Sequence, residues 1–362
     1  MGPGDRMPHG RPRNLRCSGW GRKNTSFARR LRSRPNPLPR ATFVSPAPRG
    51  EREVFVSEPD NDAKPSVLVR YWGTRGAMPS PGPETVVFGG NTACIEILYG
   101  GRRWILDAGT GIRSLGATLK RPAQPVEACV LLSHYHWDHV QGLPFFSPLH
   151  IEGTKLTVMG PVHEGYGVSQ MVQHVMAPRH FPVKCDYVMP QMTAVDLTEP
   201  SFEAGGCQVD TMVARHSART LGFRLSIEGR RICYFPDNEL AGDKYDAGPD
   251  WRSRLEAFVG DADLLIHDAM FLDSEYAKVE GWGHSTVEQA TALAEAAGVK
   301  RLVLFHHAPD RSDSALIDIV SRQRQRLTSS AGAPKVSESS STRYHSHRNP
   351  CGSSAQTLSA FA

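Results

Sequence analysis

The sequence predicts an α/β fold: β-sheets covered by helices in one large domain spanning residues 66–320. Three observations carry this. Short runs rich in β-branched and aromatic residues, each bounded by Gly or Pro, recur along that span. Segments with helical spacing interrupt them, and strands in groups broken by helices imply sheets with helical covers. The charge is also partitioned. Residues 1–50 hold 12 Lys or Arg against the single acid Asp5, and residues 321–362 hold six against Glu338, so the +5 chain carries net −11 over residues 51–320.

Taken in order, VLVRYW, ACIEIL and RRWILDAG read as strands. GIRSLGATLK places Ile112, Leu115 and Leu119 on one helical face. EACVLLSH reads as a buried strand. CQVDTMVARH, LGFRLSIEG and RRICYFPD are three more, with the Glu-Gly of IEGRR marking a hairpin. DLLIHDAMF is a strand. Ser285 followed by Glu288 fits a capping box for the helix TVEQATALAEAAG, which ends at Gly298. KRLVLFHH closes the domain with a strand. No internal repeat at a fixed period is evident.

Residues 1–65 are Arg- and Pro-rich and cannot bury enough surface to offset chain entropy, so they read as disordered. Such a stretch fits a nucleic-acid arm or a transit peptide, with a plain solvated tail or a translated stretch upstream of a later start favoured. The Ser-rich residues 321–362 read as a disordered tail in which His345 and His347 are incidental. No run approaches 18 consecutive apolar residues, so no spanning helix is expected, and no apolar core follows the N-terminal basic stretch as a secretory signal would require. The seven cysteines are odd in number and never form a CxxC pair. That pattern points to a reducing cytoplasmic setting, not to disulfides or a thiolate zinc site. Without a P-loop or a Rossmann glycine fingerprint, nucleoside-triphosphate and dinucleotide chemistry are not expected.

The chemistry is concentrated in SHYHWDH, residues 133–139. His134, His136 and Asp138 are two apart, so an extended stretch projects them to one side, with His139 adjacent where the chain can turn. Neutral imidazoles and a carboxylate, without thiolates, suit zinc with positions open for water, and two ligand clusters can share these residues.

These residues resemble the metallo-β-lactamase superfamily, and the resemblance runs over residues 67–313. LDAGTG (106–111) with Asp107, HYHWDH, His216 in ARHSARTLGFRL, Asp237 in CYFPDNEL and His306 in LVLFHH match its motifs in order. WGTRGAMPSP, GGNTACIEI, LIHDAMF with Asp268 in place of Glu, and GHST with His284 resemble the phosphodiesterase branch, which includes ribonuclease Z and PhnP-type phosphodiesterases.

The resemblance implies a four-layer αββα sandwich and two zinc ions per chain, with manganese the alternative. Iron is disfavoured because His136 stands where diiron members have Glu. One zinc would take His134, His136 and His216. The other would take Asp138, His139 and His306, with Asp237 bridging. A hydroxide held between the metals is the implied nucleophile. Asp138, His284 and Asp268 form the implied catalytic set, His284 being held by Asp268 to protonate the leaving oxygen. Asp107 would orient a ligand, not bind metal itself. His307 rivals His306, but adjacent strand residues face opposite ways and only His306 matches the family. Trp137 and Trp282 flank the site in sequence and would stack a base, although core packing is the default for tryptophan.

The implied activity is phosphodiester hydrolysis, with a small cyclic or nucleotide phosphodiester favoured. Residues 140–215 contain no Gly-Pro-rich basic arm of the ribonuclease Z kind, and the body is acidic. The alternatives are an ester, thioester or lactam hydrolase, an RNA-processing nuclease of ribonuclease Z type, an RNA-binding protein whose basic tails supply affinity, and an inactive metal-binding scaffold. The complete ligand set argues against the last. Expected partners are a small phosphodiester and, through the tails, nucleic acid, with no membrane, and the acidic body is compatible with a homodimer.

Overall fold

Apolar strands arranged in two sheets create three hydrophobic layers, and the site lies at one end of them. The computed structural model describes residues 53–55, 67–119, 124–327 and 334–338, all within the unit Pro46–Ala362. The first sheet comprises β1 (Glu53–Phe55), β2 (Leu68–Gly73), β3 (Cys94–Tyr99), β4 (Arg102–Leu106), β5 (Glu127–Leu131), β6 (Lys155–Pro161) and β7 (Met192–Leu197), adjacent in chain order. The second comprises β8 (Ser201–Ala204), β9 (Cys207–Val213), β10 (Leu221–Ile227), β11 (Arg230–Phe235), β12 (Leu264–Asp268), β13 (Arg301–Phe305) and β14 (Lys335–Glu338), again in chain order. In each sheet the first four strands pair antiparallel and the last four parallel.

The helices are α1 (Gly111–Leu119), α2 (Trp137–Val140), α3 (Val168–Val175), α4 (Cys185–Val188), α5 (Trp251–Val259), α6 (Asp273–Tyr276), α7 (Val287–Ala296) and α8 (Asp313–Leu327). Alternation along each strand divides the side chains between layers. In β4, Trp104 and Leu106 enter the inter-sheet core with Phe223 and Ile266, while Ile105 packs outward with Ile112 and Leu115 of α1. On the far face, Cys233, Leu265 and Leu302 pack against Leu255 of α5, Leu293 of α7 and Ile319 of α8. Strands buried on both faces are why these segments read as continuous apolar runs. The four-layer order α, β, β, α is the one the resemblance implied.

Glu228 (φ 48°) and Gly229 (φ 75°) turn β10 into β11, with Ile227 opposite Arg230, the two-residue hairpin expected of this Glu-Gly pair. Four boundaries differ from the sequence reading. The strand read over 207–216 ends at Val213, which leaves His216 on the following loop. The cap of α7 is Thr286, not Ser285: its Oγ1 accepts from Gln289 N–H at 3.1 Å, and the Gln289 side chain returns to Thr286 N–H at 3.2 Å. Ser285 is drawn elsewhere, because its hydroxyl donates to Asn238 O at 2.5 Å.

The domain also does not end at residue 320. α8 continues to Leu327, and β14 pairs with β13, Val336 opposite Leu302. Leu327 and Val336 enter the outer core, so an apolar face hidden between polar residues carried the fold past the expected boundary. At the other end, Glu53–Phe55 pair with β2 from within the segment read as disordered. Residues 1–52, 56–66 and 339–362, with His345 and His347, lie outside the described residues.

Candidate metal centre

The candidate residues gather beyond the carboxyl ends of the parallel strands, where open sheets leave a crevice for ligands. Asp107 follows β4, the 133–139 segment follows β5, Asp237 follows β11, Asp268 ends β12 and His306 follows β13. The 133–139 segment is not one extended stretch. It loops as far as His136, the N-cap of α2 (φ −63°, ψ 151°), and Asp138 and His139 lie in the helical turn that follows. Successive helical residues are about 100° apart, so Asp138 and His139 both reach the cleft while Trp137 points to solvent. Asp107 and His306 both have φ 59°, a left-handed conformation that costs a non-glycine residue free energy and turns each strand end inward. Gly76 lies against His306, where a Cβ would stand 2.4 Å from Nδ1 and Cε1 of the imidazole.

A buried carboxylate sets the tautomers. Asp107 Oδ1 accepts from Ser133 N–H at 2.7 Å, and its Oδ2 accepts from Ser133 Oγ at 2.9 Å, His139 Nδ1 at 2.8 Å and Tyr234 OH at 2.7 Å. The Ser133 hydroxyl spends its only proton on Asp107, so it accepts from His134 Nδ1 at 3.0 Å. Gly283 O accepts from His216 Nδ1 at 2.9 Å. The Nε2 atoms of His134, His139 and His216 are thereby left as bare lone pairs aimed into the cleft.

These lone pairs form two clusters. His134, His136, His216 and Asp237 offer ligand atoms within 4.8 Å of one another, and so do Asp138, His139 and His306. Asp237 lies between them: Oδ2 is 3.7 Å from His134 Nε2 and 3.4 Å from His216 Nε2, while Oδ1 is 3.1 Å from His139 Nε2 and 3.3 Å from His306 Nε2. Asp138 Oδ2 is 3.2 Å from His139 Nε2 and 3.1 Å from His306 Nε2. The structure therefore brings together all seven residues expected as metal ligands, with His307 outside both clusters.

The donor set fits a metal. His134 Nε2 and Asp237 Oδ1 are buried without a hydrogen-bond partner, a costly state unless a cation takes their lone pairs. Burial, reinforced at His134 by the neighbouring imidazoles, depresses the pKa of His134 and His136 and brings His216 down to about 4, the neutral form that ligates. Burial opposes charge on His139, yet Asp138, Asp237 and Asp107 hold its pKa well above the ordinary value. That same negative field favours a multivalent cation in place of the proton.

His284 stands at the edge of this cradle, within 4.8 Å of ligand atoms of Asp237 and His306. Its Nδ1 donates to Asp268 Oδ2 at 2.8 Å. Burial works against its charged form, but Asp268 lifts its pKa to about 9. Asp268 is fixed in turn by Asn238 N–H and Met270 N–H, each at 3.1 Å. Two neighbours of Asp237 escaped the sequence reading. Asn238 also bonds the buried His267, which gives that histidine a structural role. Glu239 accepts from Tyr276 OH, Gly281 N–H and Gly283 N–H, which ties down the loop carrying His284. The run Asp-Asn-Glu after an apolar strand was the one signal for both.

A family model described as "Beta-lactamase superfamily domain" matches residues 102–307. A "Ribonuclease Z" from Bacillus cereus is 24% identical over 282 residues, covering 65% of this chain and 87% of its own length. Among solved structures, the metallo-beta-lactamase fold protein YhfI from Bacillus subtilis aligns with TM-score 0.56 at 17% identity, over 77% of this chain and 98% of its own. Zn(2+)-bound PqqB from Methylobacterium extorquens aligns with TM-score 0.53 at 19% identity, over 75% and 98% respectively. At these identities the solved structures speak to the fold alone. No helix among the described residues is long and apolar enough to cross a membrane.

Proposed function

Because the chain belongs to the beta-lactamase superfamily, we propose that it is a metal-dependent hydrolase acting on a nucleotide-type phosphodiester. The observation that carries the reading is His284, charged and held by Asp268 beside the ligand cradle. Ester hydrolysis also expels an alkoxide that needs a proton, so the preference for a phosphodiester rests on the likeness of LIHDAMF and GHST, the segments carrying Asp268 and His284, to the phosphodiesterase branch.

His134, His136 and His216 would hold one metal and Asp138, His139 and His306 a second, with one Asp237 oxygen facing each. Zinc suits this set of imidazoles and carboxylates, with manganese the alternative. Bound metal would supply Lewis-acid neutralisation of phosphate charge and a water acidified to near neutral pH. The chain's own residues do the rest. Asp107 and Ser133 keep the bare nitrogens of His134 and His139 turned inward. Asp138 adds a second carboxylate against His139 and His306. His284 gives its proton to the leaving oxygen, and Asp268 steadies the ring as its charge changes.

A ribonuclease Z-type RNA-processing activity is the second reading, favoured by the name of the Bacillus cereus relative. Metal content and hydrolysis of bis(p-nitrophenyl) phosphate, measured on the wild type, His134→Ala and His284→Ala, test the proposal. The expected result is two metals per wild-type chain, turnover abolished by His134→Ala and reduced on the order of 10²–10⁴-fold by His284→Ala. Bound metal without phosphodiester turnover would overturn the reading and turn attention to esters and thioesters.

A further inference from the structure

Trp137 occupies the position between two expected metal ligands, His136 and Asp138, yet its side chain is 53% exposed. It does not stand alone. The His174 ring lies 6.1 Å from it and the His180 ring 6.4 Å, while the two histidine rings are 5.7 Å apart. Both histidines are exposed, as is Arg179 beside His180. His174 comes from α3 and His180 from the loop after it, so two separated segments, α2 and residues 174–180, build one aromatic surface beside the ligand-bearing turn. Next to His180 in the chain, Phe181 packs edge-on to Phe145 at 5.3 Å, and Phe145 is itself 55% exposed.

An exposed tryptophan leaves a large apolar face in water, and a cluster of such faces usually marks a binding surface. Flat rings with a cation alongside match one kind of partner: a planar π system that carries negative charge close by. We propose that Trp137, His174 and His180 form a stacking platform for a nucleobase of the phosphodiester substrate, with Arg179 facing an adjoining phosphate. This rests on the phosphodiesterase reading and deepens it by naming the residues that would hold the base. A mononucleotide ester and a single-stranded RNA present the same base to the same platform.

The test is equilibrium binding to metal-loaded full-length protein, followed by tryptophan fluorescence, with adenosine 5′-monophosphate and ribose 5-phosphate as probes. These differ only in the base. Adenosine 5′-monophosphate is expected to quench fluorescence and bind on the order of tenfold tighter, the scale of one stacked base. Trp137→Leu should erase that preference. His180→Ala, on a separate segment, should weaken it several-fold, which guards against misfolding at the ligand loop. Equal binding of both probes, or a preference that survives Trp137→Leu, would overturn the proposal. So would a preference lost in Trp282→Leu, since Trp282 is 61% exposed near His284. A tetranucleotide RNA binding far tighter than the monophosphate would identify a polymer substrate, and equal binding a mononucleotide one. If base preference holds but no phosphodiester is turned over, the hydrolytic reading fails while the platform stands.

Discussion

A single buried oxygen organises much of the site. Asp107 Oδ2 accepts hydrogen bonds from Ser133, His139 and Tyr234, so the neutral form of His139, and through Ser133 that of His134, keeps its proton on the side away from the cleft. Asp107→Asn keeps the shape but exchanges an acceptor for a donor. Partners that orient metal ligands typically contribute 10- to 100-fold in affinity. We expect loss of that order, read by competition of the purified variant with a zinc chelator. At His284 the sign of the pH effect follows from its pKa of about 9. The imidazolium is present below that value and lost above it, so phosphodiester turnover should fall as pH rises through about 9. Asp268→Asn removes the carboxylate that raises the pKa, and the alkaline limb should then move to lower pH. A limb that stays in place would show that another group titrates there.

At the level of elements, the site depends on how strands end. β4 and β13 are each followed by a non-glycine residue with positive φ, Asp107 and His306, which turns a functional side chain inward. The turn after β13 needs space, which Gly76 supplies alongside it, its N–H donating to His307 O at 2.9 Å. Gly76→Ala sets a methyl group 2.4 Å from the His306 ring and must push it aside. The cluster of Asp138, His139 and His306 should then lose metal while the other retains it. Metal analysis is expected to fall from two ions toward one per chain, with a near-wild-type melting curve for the apoprotein. The motif was legible because its residue types are rare together. Its geometry was not, because a four-residue helix contains too few positions to show a period. Displacement of the α7 cap by one residue has a similar cause, since Ser285 and Thr286 are equally good caps until a tertiary acceptor claims one.

Across the whole molecule, two sheets with the same order of antiparallel and parallel pairings meet along one apolar layer. No sequence repeat announces this, since many different apolar residues fill the same layer. The third core layer reaches beyond residue 320: Leu327 is 4% and Val336 3% exposed. Burial of two such side chains contributes on the order of 3–6 kcal/mol, a large share of the 5–15 kcal/mol that holds a typical domain folded. A chain ending after Val320 is expected to lose cooperative thermal unfolding, whereas one ending after Glu338 should melt like the full-length protein. Equal melting of both would show that α8's last turns and β14 are dispensable. What the sequence alone determined was the α/β class, most strands and which seven residues to look for at the strand ends, because those rest on local patterns and on scarce residue types. Only the tertiary structure decided what orients them. Ser133, Tyr234, Asn238 and Glu239 are ordinary polar residues anywhere along a chain. Their roles arise from contacts such as Tyr234 with Asp107, 127 residues apart, a closeness that packing creates and no local pattern encodes.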